Sequence, residues 1–207
     1  MMKNFHFTIK FQITLLALTG LLFLALVGGL GYQAVRALST QAGKSVAQAS
    51  NTTDLLNSMR TANSAYLVGI MEYKNILMRG NDPDCYAKHM DLFEQAYSSS
   101  RDALEETKLA GDAVGFDTDG IDKLIEGSES LYKKYTDSLK NFNAASLTSG
   151  QDIDKRTRGL DEAISSSFDQ LANEITQFAI KEGKEAQVVL QSSASATEIR
   201  TLMAVGL

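Results

Sequence analysis

No charged side chain interrupts "FQITLLALTGLLFLALVGGLGY" (11–32), and beyond it apolar residues return every three or four positions. The first pattern is that of a membrane-crossing helix, because an uncharged apolar stretch of roughly 20 residues spans the hydrocarbon core of a bilayer. The second predicts helices with one buried stripe each. After the apolar stretch, one seven-residue track reads Val35, Ala42, Ala49, Leu56, Asn63, Ile70, Leu77, and a second reads Leu38, Ser45, Thr52, Met59, Tyr66, Tyr73. Further stripes run through Tyr86, Met90, Phe93, Tyr97 and Leu104, through Ile121, Leu124, Ser128, Leu131, Tyr135, Ser138, Phe142 and Ala145, and through Leu160, Ile164, Phe168, Leu171, Ile175 and Phe178. Spacings alternating between three and four mark the seam of a left-handed antiparallel bundle, so the predicted fold class is all-α.

Three breaks divide the pattern: "GNDPDC" (80–85), "AGDAVGFDTDG" (110–120) and "SLTSGQ" (146–151). Gly80 is placed to end one helix, Asp82 to cap the next with Pro83 at its first position, and Thr118 or Asp119 to cap a third. Segments 33–80 and 152–199 are about 48 residues each, or roughly 70 Å of helix, whereas 84–109 and 119–145 reach only about 40 Å. Matched in this way, the four predict an up-down-up-down antiparallel four-helix bundle with long first and fourth helices. The breaks at 80–85 and 146–151 would meet at its far tip. The lower ends of the long helices, including "SVAQASNTT" (45–53) and "QSSASAT" (191–197), are small and polar, which predicts a homodimer that completes a four-stranded stem. Glu182 and Glu185 fall where the last stripe would continue, in keeping with a wetter packing there.

Lys3 and Lys10 precede the apolar stretch, so the positive-inside rule puts residues 1–10 in the cytoplasm and the chain from 33 onward outside, with Arg36 and Lys44 opposing slightly. A cleaved signal peptide is the rival, although its apolar region is usually shorter, about 7–15 residues. At the other end, Thr201–Leu207 reads as the start of a second span (200–207), with Arg200 snorkelling at the outer interface. An apolar tail folded back on the domain is the other reading. The expected layout is therefore a cytoplasmic N-terminus (1–10), a span (11–32), an extracytoplasmic bundle (33–199) and a second span leading to further chain. The net charge of −5 argues against nucleic acid, which calls for clustered Lys and Arg. Cys85 is the single cysteine, which excludes an internal disulfide and a Cys-rich zinc site.

This layout resembles the sensor region of bacterial methyl-accepting chemotaxis receptors of the four-helix-bundle type. "MEYKNILMRGNDPDCYAKHMDLFEQA" (71–96) is similar to their helix 1–loop–helix 2 region, and "RTRGLDEA" (156–163) to the start of helix 4 in aspartate- and serine-type receptors. The resemblance implies a periplasmic sensor on the inner membrane, a homodimer, and a ligand bound directly or through a periplasmic binding protein. It also implies a chemotaxis kinase and adaptor reached through a cytoplasmic part, and Thr157 as a ligand contact. The basic residues Arg60, Lys74 and Arg79 depart from the aspartate-type spacing, so an amino-acid ligand is not carried over. The same sensor layout precedes histidine kinases and cyclic-dinucleotide enzymes. A tethered partner-binding bundle and an envelope spacer are the non-signalling readings.

Arg79, Lys74, Arg156, Thr157 and Arg158 would gather near the tip, where charge-assisted hydrogen bonds could hold a carboxylate. The plain alternative is exposed charges paired with Asp82, Asp84, Asp152 and Asp154. Arg60, Asn63, Tyr66 and Tyr73 complete the candidate set, the last three as polar groups on core tracks that either line a pocket or satisfy one another. His89 and scattered carboxylates make no metal set, no cofactor is implied, and no nucleophile, phosphate loop or paired-carboxylate cleft can be assembled. Enzyme activity is not expected.

Overall fold

The computed structural model describes the backbone of residues 9–205 and the side chains of 9–196 and 199. Among these residues the protein is all-helical: α1 (Ile9–Arg79), α2 (Pro83–Val114), α3 (Asp119–Leu139), α4 (Ser149–Thr157) and α5 (Glu162–Val205). They form two compact units, one of residues up to 47 and from 183 onward, the other of residues 48–182. The expectations for Lys3, for the Arg200 side chain and for residues 206–207 lie outside the described residues.

The apolar stretch and the first bundle helix are one unbroken helix of 71 residues, with no proline to interrupt it. An 18-residue window in it reaches a mean hydropathy of 2.4, and none of that window is buried. Leu16 and Leu24 are 76% and 69% exposed. By length and composition this helix is apt to cross a membrane. The Thr14 and Thr19 hydroxyls donate back to the Lys10 and Leu15 carbonyls, so the polar groups of these side chains are satisfied within the helix.

Residues 48–182 hold the core. On α1 the buried seam is Thr52, Leu55, Met59, Ala62, Tyr66, Gly69, Tyr73 and Ile76, spaced three and four apart. The predicted second track from Thr52 to Tyr73 lies on this seam. The first track lies beside it, with Leu56, Asn63 and Ile70 half-buried. The α3 stripe is buried as predicted from Ile121 to Tyr135, and α5 buries Phe168, Leu171 and Ile175. Facing residues run in opposite directions along α1 and α2, and again along α2 and α3. Ser100 donates to the Ala62 carbonyl and His89 meets Glu72 between α1 and α2, whereas Lys108 meets Asp122 and Arg101 meets Glu129 between α2 and α3.

Helix ends depart from the predicted ones where tertiary contacts compete. Asp82 caps α2 as expected, accepting from the Asp84 and Cys85 amides with Pro83 next. Gly111 stays inside α2, which ends only at Gly115. Thr118 occupies the cap of α3 but makes no side-chain cap bond; the Asp117 carboxylate accepts from the Asp119 amide instead. α3 stops at Leu139 rather than 145, because turn bonds bring Phe142 against Tyr86, with ring centroids 5.5 Å apart. The largest correction concerns the fourth predicted helix. It starts earlier, at Ser149, and is cut in two at 158–161. Gly159 has φ +80°, a backbone conformation that glycine adopts without a Cβ clash, and it lets the chain turn between α4 and α5. "RTRGLDEA" therefore holds the end of α4, the break at 158–161 and the start of α5 at Glu162. Gly150 is where α4 meets α1: a Cβ there would overlap the Leu77 carbonyl.

Candidate functional site

Tyr73 ties three helices together. Its ring stacks on Tyr135 of α3 with centroids 3.9 Å apart, and its hydroxyl lies 2.8 Å from Ser138 Oγ and 3.1 Å from Thr157 Oγ1 of α4. Ser138 and Thr157 already donate to the Tyr135 and Ile153 carbonyls, so both can accept from the single Tyr73 proton. Burial pushes the Tyr73 phenol up. About two turns below, Tyr66 packs on Phe168 at 4.9 Å and donates to the Asp161 carbonyl in the α4–α5 connection. Burial raises its pKa to about 12. These two tyrosines hold the broken segment to α1.

Next to this buried knot, α1 and α4 enclose a groove of about 520 Å³ lined by Lys74, Leu147, Gln151, Asp154, Lys155 and Arg158, among others. Lys74 Nζ lies 2.6 Å from one Asp154 oxygen, and Arg158 donates to the other at 3.0 Å. The Lys74 ammonium, then the Arg158 guanidinium, hold the Asp154 carboxyl below its ordinary range. Lys155 is held only loosely, 3.8 Å from Asp152. Counting formal charge, the three cations and Asp154 leave this wall positive in a chain whose net charge is −5.

The nine candidate residues thus separate. Lys74 and Arg158 share the groove. Thr157 is 3% exposed, with its hydroxyl engaged by Tyr73 and Ile153, so it belongs to the packing beneath the groove. Arg156 is exposed and donates to the Asp152 carbonyl, and Arg79 is exposed and makes no ion pair among the described residues. Arg60 lines a different groove, of about 550 Å³, between α1 and α2 with Ser64, Val68, Leu92 and Gln95. Tyr66 and Tyr73 are core residues, and Asn63 is half-buried.

Two features had no sequence signal. The first is Asp154 as the centre of the groove: it stands among several acids near the tip, and only pairing across α1 and α4 selects it. The second is a buried pair, Glu72 with His89 Nδ1 at 2.6 Å, which Asn75 joins through Glu72. A narrow aromatic cleft between α1, α2 and α3 is lined by Tyr66, Phe93, Tyr97, Tyr132 and Tyr135. The Ser128 Oγ and Tyr135 Oη atoms are buried there without hydrogen-bond partners among the described residues. Burial first, then the nearby Asp161 charge, keeps the Tyr135 phenol protonated. The space is about 30 Å³, enough for water, which needs about 10–15 Å³, but not for an organic ligand. Among the described residues no three His, Cys, Asp or Glu side chains converge to hold a metal ion.

No known protein family, curated protein or solved structure matches this chain.

Proposed function

We propose that the chain is the extracytoplasmic ligand-sensing region of a bacterial transmembrane chemoreceptor, with the α1–α4 groove as its ligand site. The observation that carries this reading is that one helix, α1, contains both the uncharged apolar stretch 11–32 and Lys74 of the cationic groove. An event at Lys74 therefore acts on a helix that enters the inner membrane. In this reading α1 beyond the span, α2, α3, and α4 with α5 form the four arms of an up-down-up-down bundle, with the broken fourth arm running toward a second span at 200–207. A small carboxylate in the groove biases two arrangements of that fourth arm relative to α1. The ligand must bind the two arrangements unequally for any signal to pass. A shift of α5 is then handed to a cytoplasmic output module outside the present sequence, which recruits the chemotaxis kinase and its adaptor.

Leu67, Met71 and Met78 stand on one exposed face of α1, at 53%, 52% and 68% exposure. Large apolar side chains in register on one face favour a protein contact there. A second copy of the chain, forming the homodimer, is the occupant this reading assigns to it.

The test uses the full chain in detergent micelles, with thermal unfolding followed while organic acids, amino acids and aromatics are added. At least one carboxylate should raise the midpoint of the parent and leave Lys74→Ala unmoved. A screen in which no carboxylate shifts the parent, or in which Lys74→Ala responds as the parent does, removes the groove as the site.

A further inference from the structure

The groove already contains a carboxylate, and the chain itself supplies it. Asp154 places one oxygen 2.6 Å from Lys74 Nζ and the other 3.0 Å from Arg158 Nη2. Each oxygen is taken by a different cation, which is the two-point, charge-assisted arrangement by which a free carboxylate would be held. The seat is therefore shaped for this group, and an organic acid arriving from solution meets it filled. Lys155, on the same wall, is the least committed cation, with its acidic neighbour 3.8 Å away.

We propose that Asp154 is a tethered occupant of the ligand site, and that a small dicarboxylate enters by taking Lys74 and Arg158 from it. The proposal rests on the groove being the ligand site. A dicarboxylate is favoured over a monocarboxylate by charge. One carboxylate replaces Asp154 on the Lys74–Arg158 seat, and the second has Lys155 to balance it. The exchange leaves the number of charge-assisted contacts at Lys74 and Arg158 unchanged while moving the covalent connection. Before entry Lys74 of α1 is tied to α4 through Asp154; after entry it is tied to a diffusible molecule.

That change bears on α4 in particular. Lys74–Asp154 is, among the described residues, the ion pair that joins α1 to α4. The nine residues of α4 lie between the turns of 140–148 and the positive-φ Gly159. Internal competition also sets the sensitivity of the site. A ligand that must displace a tethered group binds with an apparent affinity reduced by the fraction of time the seat is open.

The proposal is tested with succinate as the probe, titrated calorimetrically into the full chain in detergent micelles at neutral pH, with succinamide as the uncharged control. Asp154→Asn keeps the shape of the side chain and removes its claim on the cations; Asp154→Ala serves as the second variant should the amide disturb folding. Both should bind succinate about tenfold more tightly than the parent, as expected when a competing closed state is removed. Asp84→Asn removes the same charge from the exposed first turn of α2, outside the groove lining, and should stay within about twofold of the parent, a size set by screened surface charge. Lys74→Met should not bind. Asp154 variants no tighter than the parent, with Lys74→Met still silent, overturn the tethered-occupant proposal and leave the groove in place. Equal tightening by Asp84→Asn and Asp154→Asn also overturns it, since net charge then explains the gain. Succinate binding to Lys74→Met as to the parent, or to none of the proteins, removes the groove reading and this inference together.

Discussion

Residues 9–47 and 48–79 belong to the same helix and have opposite environments. In the first part every residue is exposed or half-exposed, the large apolar ones included; in the second, ten residues from Thr52 to Leu77 are buried. Helix formation is common to both, so it is not what distinguishes them. In 48–79 a seam of apolar residues three and four apart meets α2, α3, α4 and α5, while Leu67, Val68, Met71 and Met78 stand outside it and exposed. In 11–32 they lie all round the helix, and no single protein face could bury them. The comparison teaches that hydrophobicity by itself does not place a residue in a protein core. Its angular distribution does: a seam fits one protein face, whereas an all-round distribution calls for apolar surroundings on every side, as in a large core or a membrane.

The sharpest way to break this contrast is to truncate one large side chain in each part and follow urea unfolding of the full chain in micelles. Tyr73→Ala should cost about 3–5 kcal/mol, the range for a fully buried aromatic, whereas Leu24→Ala should leave the unfolding of 48–182 within about 0.5 kcal/mol. Equal losses would mean that the apolar stretch packs on the folded unit. Gly150→Ala comes next. Its Cβ would overlap the Leu77 carbonyl, and pushing α4 away from α1 should cost about 1–3 kcal/mol, as overpacking does. Tyr73→Phe, which removes only the hydroxyl shared by Ser138 and Thr157, should cost about 1 kcal/mol by the same unfolding measurement.

The buried phenol of Tyr66 sharpens the contrast through pH. Its pKa is raised from 10.0 to about 12 by burial, so the folded state keeps a proton that the unfolded state has lost between these values. The Tyr66 contribution is complete below pH 10 and is lost as the pH rises toward 12. Alkaline unfolding of the parent should therefore be steeper than that of Tyr66→Phe over this window. Asp154 acts with the opposite sense, since its lowered pKa gives stability that is present above 3.8 and is lost as the pH falls below it. The smallest effect is expected at Arg79. It is exposed and makes no ion pair among the described residues, so Arg79→Ala should change the unfolding midpoint by no more than about 0.5 kcal/mol equivalent and leave ligand-induced stabilisation intact.

Much of the candidate site could be anticipated from sequence at the level of the segment, and less at the level of the residue. Lys74 and Arg158 were brought to the tip by the helix pattern and the breaks, and the structure puts them in one groove. Thr157 belongs to the same segment but lies buried, since one step of 100° along α4 separates its hydroxyl from the exposed Arg156 guanidinium. Glu72 gave no warning at all: an acid on α1 between an exposed Met71 and a buried Tyr73 reads as a surface charge until His89 of α2 is found 2.6 Å away.

Local chemistry alone determined the helices, the apolar stretch, the Asp82–Pro83 start of α2 and the periodic stripes of α3 and α5, because each depends on neighbours within a turn or two of the same chain. The tertiary structure decided where the fourth arm breaks, which of several carboxylates occupies the Lys74–Arg158 seat, and which tyrosine hydroxyl finds an acceptor. Those outcomes depend on partners 84 residues apart in sequence for Tyr73 and Thr157 and 80 apart for Lys74 and Asp154. Pairing at that separation is fixed by how whole helices pack, and no property of either residue's own neighbourhood encodes it.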